Sequence, residues 1–236
     1  MKRLALAPAV LLALLAAEET ARPAAALAAM PSPDSEAFAC GETDGKPFVT
    51  LQLDLQRSVI RWKGTKFRGL GKHEGIVRLA SGSVAVDGRA PVGGSFVVDM
   101  RSIEVTDIPP SDPVPRRRLR EHLMHDDFFA VARHPTATFQ IRGVSPRPGG
   151  RYLVDGALTL RGQTRPVRFE AGVAPAANGA LHATARFRIN RQHWGVAYRG
   201  SRLTNDLVDD PIELTLDLVT APAPPARVAQ GRRSAP

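Results

Sequence analysis

Residues 120–129, REHLMHDDFF, hold two histidines, three acids and two adjacent phenylalanines in ten positions. His122 and His125 stand three apart, so on one helix they are neighbours, with Glu121 or Asp126 close by. That spacing suits two imidazole ligands for zinc or copper, or an imidazole–carboxylate pair for acid/base chemistry. A third metal ligand would have to come from His73, His134 or His193, and nothing in the spacing demands it. Asp126 and Asp127 are adjacent and point apart on a helix, so they do not share work on one substrate atom. The plainer reading is a polar helix face capping a barrel, with the two aromatics plugging something hollow.

Other catalytic signatures are missing. The sequence has no His-Glu-x-x-His and no Gly-x-Ser-x-Gly, and GTKFRGLGK (64–72) lacks the spacing that cradles a phosphate. Cys40 is the only cysteine, which excludes an intrachain disulfide, and it precedes the folded region. No metal, cofactor or enzymatic activity is therefore expected. Aromatics on outward basic faces, which single-stranded nucleic acid would need, are absent too, so nucleic acid is not an expected partner.

Positioning such residues falls to a middle segment bounded by compositionally distinct ends. Lys2 and Arg3 precede an apolar run from Leu4 to Ala17, too short to span a bilayer, with Ala26-Leu27-Ala28 as a cleavage site. Residues 1–28 thus read as a secretory signal peptide, which places the mature protein in a bacterial periplasm or outside the cell. Residues 29–47 read as a disordered linker, 48–220 as one folded domain, and 221–236, rich in Pro and Ala, as a disordered tail. The net charge of +9, with a cluster at RRRLR (116–120), suits contact with an anionic membrane surface, although part of the basicity is compositional.

Inside the domain the apolar residues repeat every second position, as in half-buried antiparallel strands. VTLQLDL (49–55) alternates, Ile60 and Trp62 face away from Arg61 and Lys63, and Phe96, Val98 and Met100 share a face. Ala137, Phe139 and Ile141 do likewise, as do Leu158 with Leu160, and Val167 with Phe169 and Ala171. Ala185, Phe187 and Ile189 oppose Arg186 and Arg188, and Ile212, Leu214, Leu216 and Leu218 close the series. Eight such stretches with glycine-rich breaks predict an all-β barrel or sandwich. Residues 102–115 break the pattern with four prolines. A helix is expected from Pro115 or Arg116 to Leu123, with Asp126 capping a second short turn before Phe128 and Phe129. An eight-stranded barrel has an interior that side chains fill or that holds one small ligand, and periodicity leaves both open.

Six segments occur in an order that resembles the YceI-like family of exported, polyisoprenoid-binding, lipocalin-like proteins: DLQRSVIRWKGTKFRGLGKHEGIVRLASG, GGSFVVDMRSIEVTD, REHLMHDDFF, HPTATFQI, VDGALTLRGQTRPVRF and INRQHWG. The resemblance covers residues 49–220. It implies an eight-stranded antiparallel barrel with a short helical lid over an apolar tunnel for an isoprenoid lipid, as a quinone tail or a polyprenyl phosphate. The tunnel wall it implies comprises Ile60, Trp62, Phe96, Val98, Met100, Phe139, Leu158, Leu160, Phe169, Phe187 and Ile189, with Leu123, Phe128, Phe129 and Trp194 at the mouth. Two departures fall near that mouth. Leu119-Arg120-Glu121 stands where many members have Arg-Asp before His-Leu, and His193-Trp194-Gly195 stands where many have Asp-Phe-Gly. Headgroup preference does not carry over, and oligomeric state, a homodimer included, is left open. The rival readings are an enzyme using His122, His125 and Asp126, and a ligandless barrel docking to a membrane or a protein.

Overall fold

Inward apolar and outward charged side chains alternate along most of the chain, and strands built this way bury one face only by closing on themselves or on a partner sheet. Here they close on themselves. The computed structural model describes residues 41–43, 46–197 and 208–222. It contains β1 (Gly41–Thr43), β2 (Lys46–Gln52), β3 (Val59–Lys66), β4 (Gly71–Asp87), β5 (Ala90–Val105), α1 (Pro113–Met124), β6 (Thr136–Arg147), β7 (Arg151–Leu160), β8 (Gln163–Pro175), β9 (Leu181–Asn190) and β10 (Val208–Val219). The leader read at 1–28, Cys40 and residues 223–236 of the tail lie outside the described residues.

Strands β4-β3-β10-β9-β8-β7-β6-β5 pair antiparallel in that order, and β4–β5 pairing completes an eight-stranded ring. β2 and β3 lie end to end along β4: Val49 to Gln52 pair with Val86 to Ser83, and Ile60 to Lys66 pair with Val77 to Gly71. The stretch between them leaves the ladder, and a bridge from Leu53 to Thr220 keeps the line beside β10. β1 pairs with β2, so ordered pairing reaches back to Gly41, inside the stretch read as linker.

The seventeen-residue β4 is the element that periodicity missed. Register shifts at Ile76/Arg78, Leu79/Ser81 and Ala85/Val86 interrupt its pairing with β5. Only the shift at Leu79/Ser81 places its extra residue, Ala80, in β4, and it turns the following side chains of that strand over. The buried positions accordingly move from odd to even, from Val77 and Leu79 to Val86.

The helix starts at Pro113, two residues before the expected start, because proline is tolerated in a first turn whose N–H groups lack helical partners. It ends at Met124. A second short turn does follow at 126–129, but Asp126 faces Arg133 at 3.4 Å and does not cap it. Instead the His125 carbonyl accepts the N–H groups of Phe128 (3.0 Å) and Ala130 (2.9 Å), while Phe129 and Val131 donate back to Leu123 and Met124. The chain therefore doubles under the helix and carries both phenylalanines inward.

β5 runs past the end of its pairing with β6, which stops at Asp99–Thr136. The exposed edge is covered from α1. Arg116 Nε donates to the Val105 carbonyl (2.8 Å), and Arg120 donates to the carbonyls of Ile103 (2.8 Å) and Arg101 (2.9 Å). Two arginines of the basic cluster thus hold the lid on a strand edge, which otherwise presents unpaired groups.

Candidate ligand-binding cavity

Inside the ring and beneath α1 lies a cavity of about 210 Å³. β3 contributes Ile60 and Trp62, β5 contributes Phe96, Val98 and Met100, and the lid contributes Leu123, Phe128 and Phe129. The far wall carries Leu158, Leu160, Phe169, Phe187 and Ile189. Trp62, Phe129, Leu158 and Phe187 are only partly buried although they face inward, because they border empty space. The Phe169 and Phe187 rings stack 4.2 Å apart and 5° from parallel, forming one smooth panel of wall.

Two expected wall residues lie elsewhere. Phe139 sits between Phe96 (5.2 Å) and Phe169 (5.6 Å) and closes the floor with them. Its ring lies flat over Gly156, where an added Cβ would stand 2.2 Å from Phe139 Cζ. Alternation put Phe139 on the correct face of β6, but the missing side chain on β7 let the ring fold down out of the cavity. Trp194 is 2 % exposed and donates its indole N–H to the Leu158 carbonyl at 3.0 Å, which turns it into the core and away from the mouth.

The cavity also has walls that the expected set omitted. Val77 comes from the unrecognised β4, and Ile103 from the extension of β5. Ile212, Leu214 and Leu216 lie on the inward face that alternation had already marked on β10. The polar lining groups include Thr65, Lys66 and His73 on the β3–β4 hairpin, His122 on α1 and Arg191 after β9.

Among these groups, His73 Nδ1 lies 2.9 Å from Asp107 Oδ2. Burial pushes the Asp107 carboxyl up, but the Glu74 N–H and His73 outweigh it and hold it below its ordinary value. His122 packs 5.7 Å from Phe128. Burial lowers its pKa, Asp127 opposes that shift, and His125 adds to it. His125, by contrast, is exposed and pairs with Asp127 at 3.3 Å. The two histidines therefore diverge, one toward the cavity and one to solvent, and do not converge on a shared atom.

Arg191, the arginine of INRQHWG, is 2 % exposed. It donates to the carbonyls of Val196 (2.7 Å), Val208 (2.9 Å) and Asp209 (3.2 Å) and lies 3.3 Å from Asp210. Burial lowers its pKa against the pull of Asp210 and Asp209. Its work is to tie the turn after β9 to the start of β10. The Trp62 indole N–H has no hydrogen-bond partner in the structure and is the single buried side-chain polar atom of that kind among the described residues.

Fold and cavity together define a class: antiparallel eight-stranded barrels that enclose one apolar chamber under a helical lid. The chain belongs to the YceI-like family, whose domain model matches residues 51–220, well over half of its length. A UPF0312 protein of Azotobacter vinelandii is 32% identical over 93 residues, which is 39% of this chain and 45% of that protein's length. BcnA of Burkholderia cenocepacia shares the fold with a TM-score of 0.60 at 20% identity, over 72% of this chain and 99% of that one. A polyisoprenoid-binding domain from Saccharophagus degradans, implicated in plant cell wall breakdown, does so with a TM-score of 0.52 at 16% identity, over 73% and 98%.

Proposed function

We propose that this protein binds the apolar tail of an isoprenoid lipid, as a quinone or a polyprenyl phosphate, and carries or buffers it in the periplasm or as a secreted protein. The observation that carries this reading is a chamber walled by hydrocarbon over most of its surface, with few polar groups in its lining. A cavity of about 150 Å³ lined by aliphatic and aromatic side chains already takes a benzene-sized guest. The 210 Å³ here accepts the end of a branched apolar chain. Each five-carbon unit gains roughly 3 to 4 kcal/mol of transfer free energy, at about 0.8 kcal/mol per methylene-sized group. The polyisoprenoid-binding description of the Saccharophagus degradans domain supports the same class of guest. The role is carriage rather than catalysis, since His122 and His125 face different surroundings.

Native mass spectrometry of gently purified protein tests the reading, together with titration by ubiquinone and by a polyprenyl phosphate. Bound isoprenoid, and a change in intrinsic fluorescence that Trp62→Phe removes, are the expected results. A clean apo mass with no response to either lipid overturns it. Export is tested separately. Protein from the native host should begin between about residues 17 and 40, and an intact Met1 in a cytosolic fraction refutes export.

A further inference from the structure

The β3–β4 hairpin ends in a tip, residues 66–72, that edges the cavity through Lys66 and yet turns apolar side chains to solvent. Leu70 is 91% exposed and Phe67 is 46% exposed, two of the five large apolar side chains left uncovered among the described residues. Arg68 is exposed beside them, Lys72 is paired with Glu74 at 2.7 Å, and Lys66 Nζ stands 5.9 Å from the centre of the Phe67 ring. This exposure is built in. Phe67 and Arg68 hold left-handed backbone conformations (φ 54° and 56°), which side-chain-bearing residues seldom adopt. The Asp209 carboxylate fixes them there by accepting the N–H groups of Arg68 (3.0 Å) and Gly69 (2.9 Å).

We propose that this tip is a membrane foot: Phe67 and Leu70 enter the interface of an anionic phospholipid bilayer while Lys66 and Arg68 meet its headgroups. Apolar side chains ringed by cations match a surface that is negative outside and hydrocarbon beneath. Lys66 in the tip and Thr65 and His73 beside it line the cavity, so docking sets that side of the cavity against the bilayer. In that respect the foot deepens the carrier reading and rests on it.

The test uses the full chain and sedimented vesicles of phosphatidylcholine, alone or with about a quarter phosphatidylglycerol. Wild type should partition to the anionic vesicles, less so at high salt and weakly to the neutral ones. Leu70→Ser should reduce partitioning roughly tenfold, as burial of one leucine implies, and Phe67→Ser with Leu70→Ser further. Val49→Ser, on exposed β2 near the opposite end of β4, should change nothing. Because Leu70 touches so little of the protein, the single variant keeps its fold, checked by circular dichroism. Equal partitioning of wild type and both tip variants, equal loss in Val49→Ser, equal binding to neutral vesicles, or no binding at all overturns the foot. Isoprenoid loading, measured without vesicles, reports the cavity separately. A wild type that loads lipid but ignores vesicles loses the foot and keeps the carrier reading. One that docks through the tip but loads nothing keeps the foot and loses the carrier reading.

Discussion

The Thr65 hydroxyl donates to Asp209 Oδ2 at 2.6 Å, across 144 residues of chain. With the N–H groups of Arg68 and Gly69 on the same carboxylate, the start of β10 determines the shape of the β3–β4 tip. The Thr65 bond is the largest influence holding the Asp209 pKa below its ordinary value; slight burial opposes it, and the two backbone N–H groups and Arg191 add to it. For a carboxyl with a lowered folded-state pKa, the stabilisation is complete above the unfolded value and disappears as pH falls through the folded one. Asp209→Ala should therefore speed hydrogen exchange at the Arg68 and Gly69 amides at neutral pH while strand amides stay protected. In wild type the same loss should begin only in acid below the ordinary aspartate range. Unchanged exchange in Asp209→Ala refutes the link.

Floor and wall phenylalanines should respond differently to truncation. Phe139→Ala removes a packed ring and should cost about 3 to 5 kcal/mol in chemical denaturation. Phe187→Ala widens a space that already exists, so its cost in lipid-free protein should be distinctly smaller while isoprenoid loading falls. Gly156→Ala drives a methyl into Phe139 and should cost about 1 to 3 kcal/mol by overpacking. Equal losses for Phe139→Ala and Phe187→Ala would mean the barrel is filled.

The lowered pKa of His122 gives stability a sign with pH. Its imidazole is pushed toward the neutral form by burial, with Asp127 opposing and His125 adding. The unfolded chain therefore takes up a proton first, and stability declines as pH drops below the ordinary histidine value of 6.5. Thermal melts of lipid-free protein between about pH 7.5 and 5 should show this decline, and His122→Gln should flatten it. An equally steep decline in the variant assigns the effect elsewhere.

Arg116 and Arg120 should hold the lid without contributing to the barrel's own ladder. Replacing both with Ala should raise hydrogen exchange in α1 and leave β7 to β9 protected. Replacement by Lys should restore little, because an ammonium cannot present the fixed fork of a guanidinium to successive carbonyls. Full protection of α1 in the double Ala variant would show that apolar contacts alone seat the lid.

Alternation made the inward faces of β9 and β10 legible, because Phe187, Ile189, Leu214 and Leu216 follow an unbroken period of two. It failed on β4, where one extra residue, Ala80, reverses the parity between Leu79 and Val86. Periodicity also gives a face without a depth. Phe139 was placed on the correct side of its strand, yet only Gly156, on the neighbouring strand, decides that the ring lies in the floor. Contacts such as Thr65 with Asp209, or Arg120 with the Ile103 carbonyl, leave no periodic trace, since they join a polar side chain to a distant partner. In the same way the short spacing of His122 and His125 invited a shared metal, and the end of the helix at Met124 separated them.

The lid is fastened by side chains to a strand edge, while the rest of the cavity wall belongs to a ring closed by its own strand pairing. Its opening therefore breaks no strand pairing, and a guest can leave while the barrel stays folded. If the protein carries a guest as proposed, loosening Arg116 and Arg120 should speed its release without unfolding the barrel.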